Sequence, residues 1–142
     1  MQYKTESRFR NQLVNEMRLE GFEVQGIESG MTGRGIPDLY FSKIKRNPIV
    51  GQGERSEFEA KGWIELKNIT GKLKDPVIID FRPGQYEWLM RFYNGGTNVY
   101  LMVSCCEGIF VFRGLEIKKS YQLQEFLEWR HLSKMKNIDA ML

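Results

Sequence analysis

The segment Trp63-Ile64-Glu65-Leu66-Lys67-Asn68 restricts the fold of this chain more than any other. Its residues alternate with a period of two, which reads as a β-strand. Ile64 and Leu66 leave one face, and Trp63, Glu65 and Lys67 leave the other. The apolar face needs a covering layer. The opposite face carries an acid and a lysine about 7 Å apart along the backbone, which a purely structural strand does not require.

The segments around it follow a regular order. Thr5 to Glu20 reads as a helix, with Thr5 or Ser7 as cap, Gly21 as terminator and Phe9, Leu13 and Met17 as its buried stripe. Phe22 to Ile27 reads as a strand. Gly30-Met31-Thr32-Gly33-Arg34-Gly35 is a loop, since three glycines in six residues suit no regular element. Pro37 and Asp38 lead into a strand from Leu39 to Ile44, and the polar stretch from Lys45 to Lys61 reads as an exposed connection. A second helix is predicted over Pro83 to Tyr93, with the proline in its first turn and Asn94-Gly95 closing it. Val99 to Ser104 and Ile109 to Phe112 form a hairpin joined near Glu107-Gly108. The last helix is predicted from Tyr121 to Met135, with Leu123, Phe126, Leu127 and Arg130 along one side. The order helix, three strands, helix, two strands, helix predicts an α/β (α+β) fold in which helices flank a central mixed sheet.

With 142 residues the chain suits a single domain (1–142). No apolar run is long enough to span a bilayer, and no secretion signal opens the sequence. The cysteines, Cys105 and Cys106, are adjacent and point to opposite faces of a strand, so they do not bridge. These features suit a reducing cytoplasm. Two cysteines and one histidine, His131, show no zinc-ligand spacing, and that histidine has no nucleophile motif near it. The net charge of +3 permits a nucleic-acid partner without indicating one.

Glu-x-Lys occurs three times, at 59–61, 65–67 and 116–118, and such pairs commonly serve as solubilising charge. Only the middle one lies inside a clear strand with apolar alternation. It also follows an acid placed to approach it, because adjacent antiparallel strands would put Asp38 beside Glu65. Pro37-Asp38 has a plainer use as a turn initiator. Two carboxylates beside a lysine suit phosphodiester hydrolysis, which needs Mg²⁺ on the phosphate, a polarised water and positive charge for the developing oxyanion. Gln85 shares a helix face with Trp88, Leu89 and Phe92 and is expected to point inward, towards either an active-site partner or backbone. Glu6 lies within the stripe of the first helix and Glu16 towards its edge. Glu6 is therefore the preferred further acid, although any acid in a first turn also stabilises the helix dipole.

Gly-Ile-Pro-Asp-Leu-Tyr at 35–40 followed by Trp-Ile-Glu-Leu-Lys at 63–67 resembles the PD-(D/E)xK nuclease superfamily. The resemblance implies a restriction-endonuclease-like core, with Asp38 and Glu65 as metal-binding acids, Lys67 as the catalytic lysine and the Leu66 carbonyl as a further metal contact. Mg²⁺ is the implied metal, and Mn²⁺ a substitute. Arg82-Pro83-Gly84-Gln85-Tyr86-Glu87-Trp88-Leu89 and the Thr5-Glu6 start are similar to the VRR-NUC branch, which implies catalytic roles for Gln85 and Glu6 and a metal contact from Glu6. The chain also resembles Holliday junction resolvases in size and in its glycine-rich approach to the first acid. That implies a homodimeric, structure-selective endonuclease acting on branched DNA. The alternatives are a binding module that has lost catalysis, and a nuclease that nicks or trims DNA without branch preference. Residues 113–142 form a C-terminal extension with no counterpart in the resemblance. Arg34, Lys43, Lys45, Arg46, Lys72, Lys74 and Arg82 are expected to form a basic rim that contacts phosphates without reading bases. Each has the plainer reading of a solvated loop charge.

Overall fold

The computed structural model describes residues 3–27, 35–46, 57–129, 131–132 and 138–142. Helix α1 (Glu6–Leu19) starts at Thr5, whose hydroxyl accepts the Arg8 N–H at 3.2 Å. Gly21, at φ 92°, turns the chain out of the helix. Strands β1 (Glu23–Gly26), β2 (Leu39–Arg46) and β3 (Glu57–Asn68) follow, then β4 (Val77–Ile78) and helix α2 (Gln85–Asn94). Strands β5 (Val99–Cys105) and β6 (Gly108–Arg113) form the expected hairpin. After them come β7 (Ser120–Tyr121), α3 (Leu123–Glu128), β8 (His131–Leu132) and α4 (Ile138–Met141).

The main sheet has six strands among the described residues, in the order β1-β2-β3-β5-β6-β8. Of its pairs only β3–β5 is parallel, and α2 belongs to the crossover that such a pair requires. Each face has its own core. Phe9, Leu13 and Met17 of α1 pack on Leu39, Phe41, Ile64, Leu66, Tyr100 and Met102. On the other face Leu89 of α2 and Phe126 of α3 pack with Leu101, Val103 and Phe112. The mixed sheet between helices is thus the expected fold class. No helix among the described residues is long and apolar enough to cross a membrane.

Three boundaries differ from expectation. Part of the polar stretch 45–61 is strand, because β2 and β3 run on together to the pair Arg46↔Glu57. There the strands run past the cores, leaving Ile44 and Phe58 exposed, while the backbone ladder holds the arm. Pro83 precedes α2 instead of sitting in its first turn, since Gly84 caps the helix in a left-handed conformation at φ 88°. The long final helix is replaced by the short α3, after which the chain turns extended at Trp129 and pairs along β6, His131 opposite Phe110. This pairing supplies partners for the backbone groups of an otherwise open sheet edge. Leu127 is 38% exposed and lies outside the buried stripe, while Arg130 falls outside the described residues.

Candidate active site and metal centre

The β2–β3 register sets Leu39 opposite Ile64, so Asp38, one residue before β2, falls opposite Glu65. Because β2 begins only at Leu39, the β2-facing backbone edge of Leu66 meets no strand residue. Its N–H donates to Asp38 Oδ2 at 2.9 Å, which fixes the carboxylate over the end of the strand. The Leu66 carbonyl leaves the strand on that same side.

Glu65 is 1% exposed and Lys67 9% exposed, although both carry charge-bearing groups. Lys67 Nζ lies 3.5 Å from Glu65 Oε1 and donates to Gln85 Oε1 at 2.9 Å. The same Gln85 oxygen accepts the Arg82 N–H at 2.8 Å, which locks the glutamine at the start of α2. The Phe81 ring lies 5.7 Å from Lys67 Nζ. Gln85 thus points inward and holds the Arg82 backbone and the Lys67 side chain with one oxygen. On the same face the rings of Tyr40, Trp63 and Trp88 follow one another at 5.0 and 5.2 Å.

Glu6 enters from the first turn of α1. One carboxylate oxygen from each of Glu6, Asp38 and Glu65 lies within 4.8 Å of the others. Burial, then the Asp38 charge, pushes the Glu65 carboxyl up to about 8, with Lys67 opposing and Glu6 adding to the rise. Burial and Asp38 likewise raise Glu6. Glu65 Oε2 is buried and has no hydrogen-bond partner among the described residues. A dehydrated carboxylate oxygen facing two further acids fits a hard divalent cation, for which oxygen donors are the natural ligands. Such an ion would relieve both the missing bond and the repulsion.

No protein-family profile and no curated protein matches the chain in sequence. Among solved structures it is similar to Hjc, a Holliday junction resolvase from the archaeal hyperthermophile Archaeoglobus fulgidus. That likeness covers 92% of this chain and 98% of the other, with 18% identity and a TM-score of 0.56. The fold is restriction-endonuclease-like. The expectation drawn from the motifs at 35–40 and 63–67 is met at the level of fold.

The structure brings Glu6, Asp38, Glu65, Leu66, Lys67 and Gln85 together, and it disperses the expected basic rim. Lys43 and Lys45 share a face with Phe41, opposite the face of Glu65. Lys43 Nζ donates to the Glu20 carbonyl at 2.6 Å and Lys45 Nζ to the Asp139 carbonyl at 2.6 Å. Both lysines pair with the Asp139 carboxylate, at 3.1 and 3.3 Å. Lys43 stands five residues beyond Asp38 on an extended strand, about 17 Å away. Grouping these lysines with the acids by nearness in sequence overlooked strand alternation. Arg46 pairs with Glu57 at 3.5 Å farther still along the arm. Lys72 and Lys74 line a separate recess with Thr70, Leu73 and Val77. Arg82 remains beside the site, close enough for its charge to act on Glu6. Arg34 lies outside the described residues.

Arg10 was missed. Its charge also acts on Glu6, and its position one turn after Glu6 on α1 was the available signal.

Proposed function

We propose that this protein is a Mg²⁺-dependent endonuclease that hydrolyses phosphodiester bonds in DNA, with four-way and other branched DNA as its substrate. The observation that carries the reading is the convergence of Glu6, Asp38 and Glu65 within 4.8 Å beside a buried lysine held by Gln85. Glu6, Asp38, Glu65 and the Leu66 carbonyl would hold the cation, which when bound supplies charge for the phosphate and a more acidic water. The similarity to a resolvase supports the choice of substrate.

The chain's own residues divide the remaining work. Asp38 is fixed by the Leu66 N–H, so its free oxygen is oriented before any ligand arrives. Lys67, clamped between Gln85 and Glu65, keeps an ammonium group at the edge of the acids. There it orients the attacking water and stabilises the negative charge that grows on the phosphate oxygens. The water's oxygen forms the new P–O bond as the old P–O bond breaks; the water releases one proton to solvent, and the departing oxygen takes up one from it. Arg82 neutralises the neighbouring stretch of backbone. Two symmetric cuts across a junction need two such sites, which a homodimer provides.

The test is cleavage of labelled four-way junction and linear duplex with Mg²⁺, Mn²⁺ or EDTA, alongside folded Asp38→Ala and Lys67→Ala. Junction cutting that needs the cation and disappears in both variants is the expected result. Wild type that binds junction and never cuts it makes the protein a binding module instead. Equal cutting of duplex and junction removes the branch preference.

A further inference from the structure

We infer that Arg10 is a second phosphate anchor, seated on the β1 side of the acid cluster opposite Lys67; this rests on the nuclease reading. Arg10 follows Glu6 by four residues on α1, a spacing at which an arginine ordinarily pairs with the acid one turn before it. Here it does not: no ion pair or hydrogen bond of its side chain is formed among the described residues. Instead the guanidinium lies against Gly26, the last residue of β1. A Cβ at that position would collide with the outer guanidinium nitrogen. The glycine is thus a notch that the cation fills.

The notch has a functional address. Gly26 pairs with Leu39, and the next residue, Ile27, donates its N–H to the Asp38 carbonyl at 2.8 Å. Because Gly26 pairs with Leu39, the notch opens on the α1 face of the sheet, the face from which Glu6 reaches the acids, and the guanidinium lies there one strand from the end that carries Asp38. Lys67 and Gln85 lie on the other side, towards β5 and α2. Among the described residues no acceptor faces the five N–H donors of this half-buried arginine, which is costly unless something else supplies one. A phosphate oxygen next to the scissile group is the acceptor of matching charge, and the planar fork suits two of its oxygens. The cluster then has a cation on each face of the sheet, Arg10 on the α1 face and Lys67 on the α2 face, so a strand passing over the end of the sheet is held at two points. Arg10 is a positioning residue in this scheme and touches no reacting atom.

Binding of four-way junction in EDTA, measured across a range of salt, is the test, with kcat and KM then measured in Mg²⁺. For Arg10→Ala the expected result is Kd weaker by roughly tenfold and a salt slope smaller by about one. KM should rise more than kcat falls, and Arg10→Lys should restore the slope with part of the affinity. Gly26→Ala keeps every charge but evicts the guanidinium, so it should weaken binding at unchanged net charge. Wild-type affinity and slope in both Arg10→Ala and Gly26→Ala would overturn the assignment and leave the nuclease reading standing. A wild type that binds no junction would sink the nuclease reading itself, and the anchor with it.

Discussion

Replacing Glu65 by glutamine removes a carboxyl that the metal-free fold ionises only at a cost, and the cost follows from the site. The carboxyl ionises near 4.5 in water and about 8 in the folded protein. At about 1.4 kcal/mol for each pKa unit, that difference is worth about 5 kcal/mol. The sign follows from proton linkage. A group whose folded pKa is raised adds its full stability below the unfolded value, then loses it as pH rises through the folded one. Wild type should therefore lose about 2 kcal/mol from this group by pH 6 and close to 5 by pH 9. The amide side chain of the Glu65→Gln variant has no such dependence, and the groups that titrate away from Glu6, Asp38 and Lys67 are common to both proteins. Urea unfolding in EDTA at pH 6 and pH 9 should show the stability advantage of Glu65→Gln growing by about 3 kcal/mol. Mg²⁺ should then reverse the order, stabilising the wild type alone. Parallel stability curves for the two proteins across that pH range would refute the reasoning, because Glu65 would then be solvated or already paired.

Cation binding should displace the Glu65 proton, so calorimetry at pH 7 in buffers of different ionisation enthalpy should show close to one proton released for each ion. Gln85→Ala leaves Lys67 and the Arg82 N–H without their shared acceptor; it should cost about 1–3 kcal/mol in stability and reduce kcat with KM little changed, checked by unfolding and steady-state kinetics. Gly35→Ala should be more damaging than its size suggests. Gly35 sits at φ 93°, and a Cβ there would strike the Gly84 carbonyl. Thermal unfolding should show a loss of about 1–3 kcal/mol or more, together with weaker cation binding, because the approach to Asp38 packs against the start of α2.

Much of the site was legible in the sequence because strand alternation is a local property. Glu65 and Lys67 on one face, Ile64 and Leu66 on the other, follow from period two alone. The stripe of Phe9, Leu13 and Met17 likewise carries Glu6 on α1, and the inward face of α2 carries Gln85. The same alternation, applied to β2, separates Lys43 and Lys45 from Asp38. Other features had no local signal. The two-residue strands β4, β7 and β8 have no period to read. The helical stripe read through Arg130 did not continue, and the chain after Glu128 supplied backbone partners to β6 instead.

The sequence by itself determined which residue types face which way within each element, because φ/ψ geometry dictates side-chain direction over a few residues. Tertiary structure decided which elements meet: Asp38 opposite Glu65 by antiparallel register, Gln85 on Lys67 by the packing of α2, and Arg10 in the Gly26 notch. Only that assembly removes water from Glu65 and sets its carboxyl against those of Asp38 and Glu6, since desolvation and repulsion arise between elements far apart in the chain.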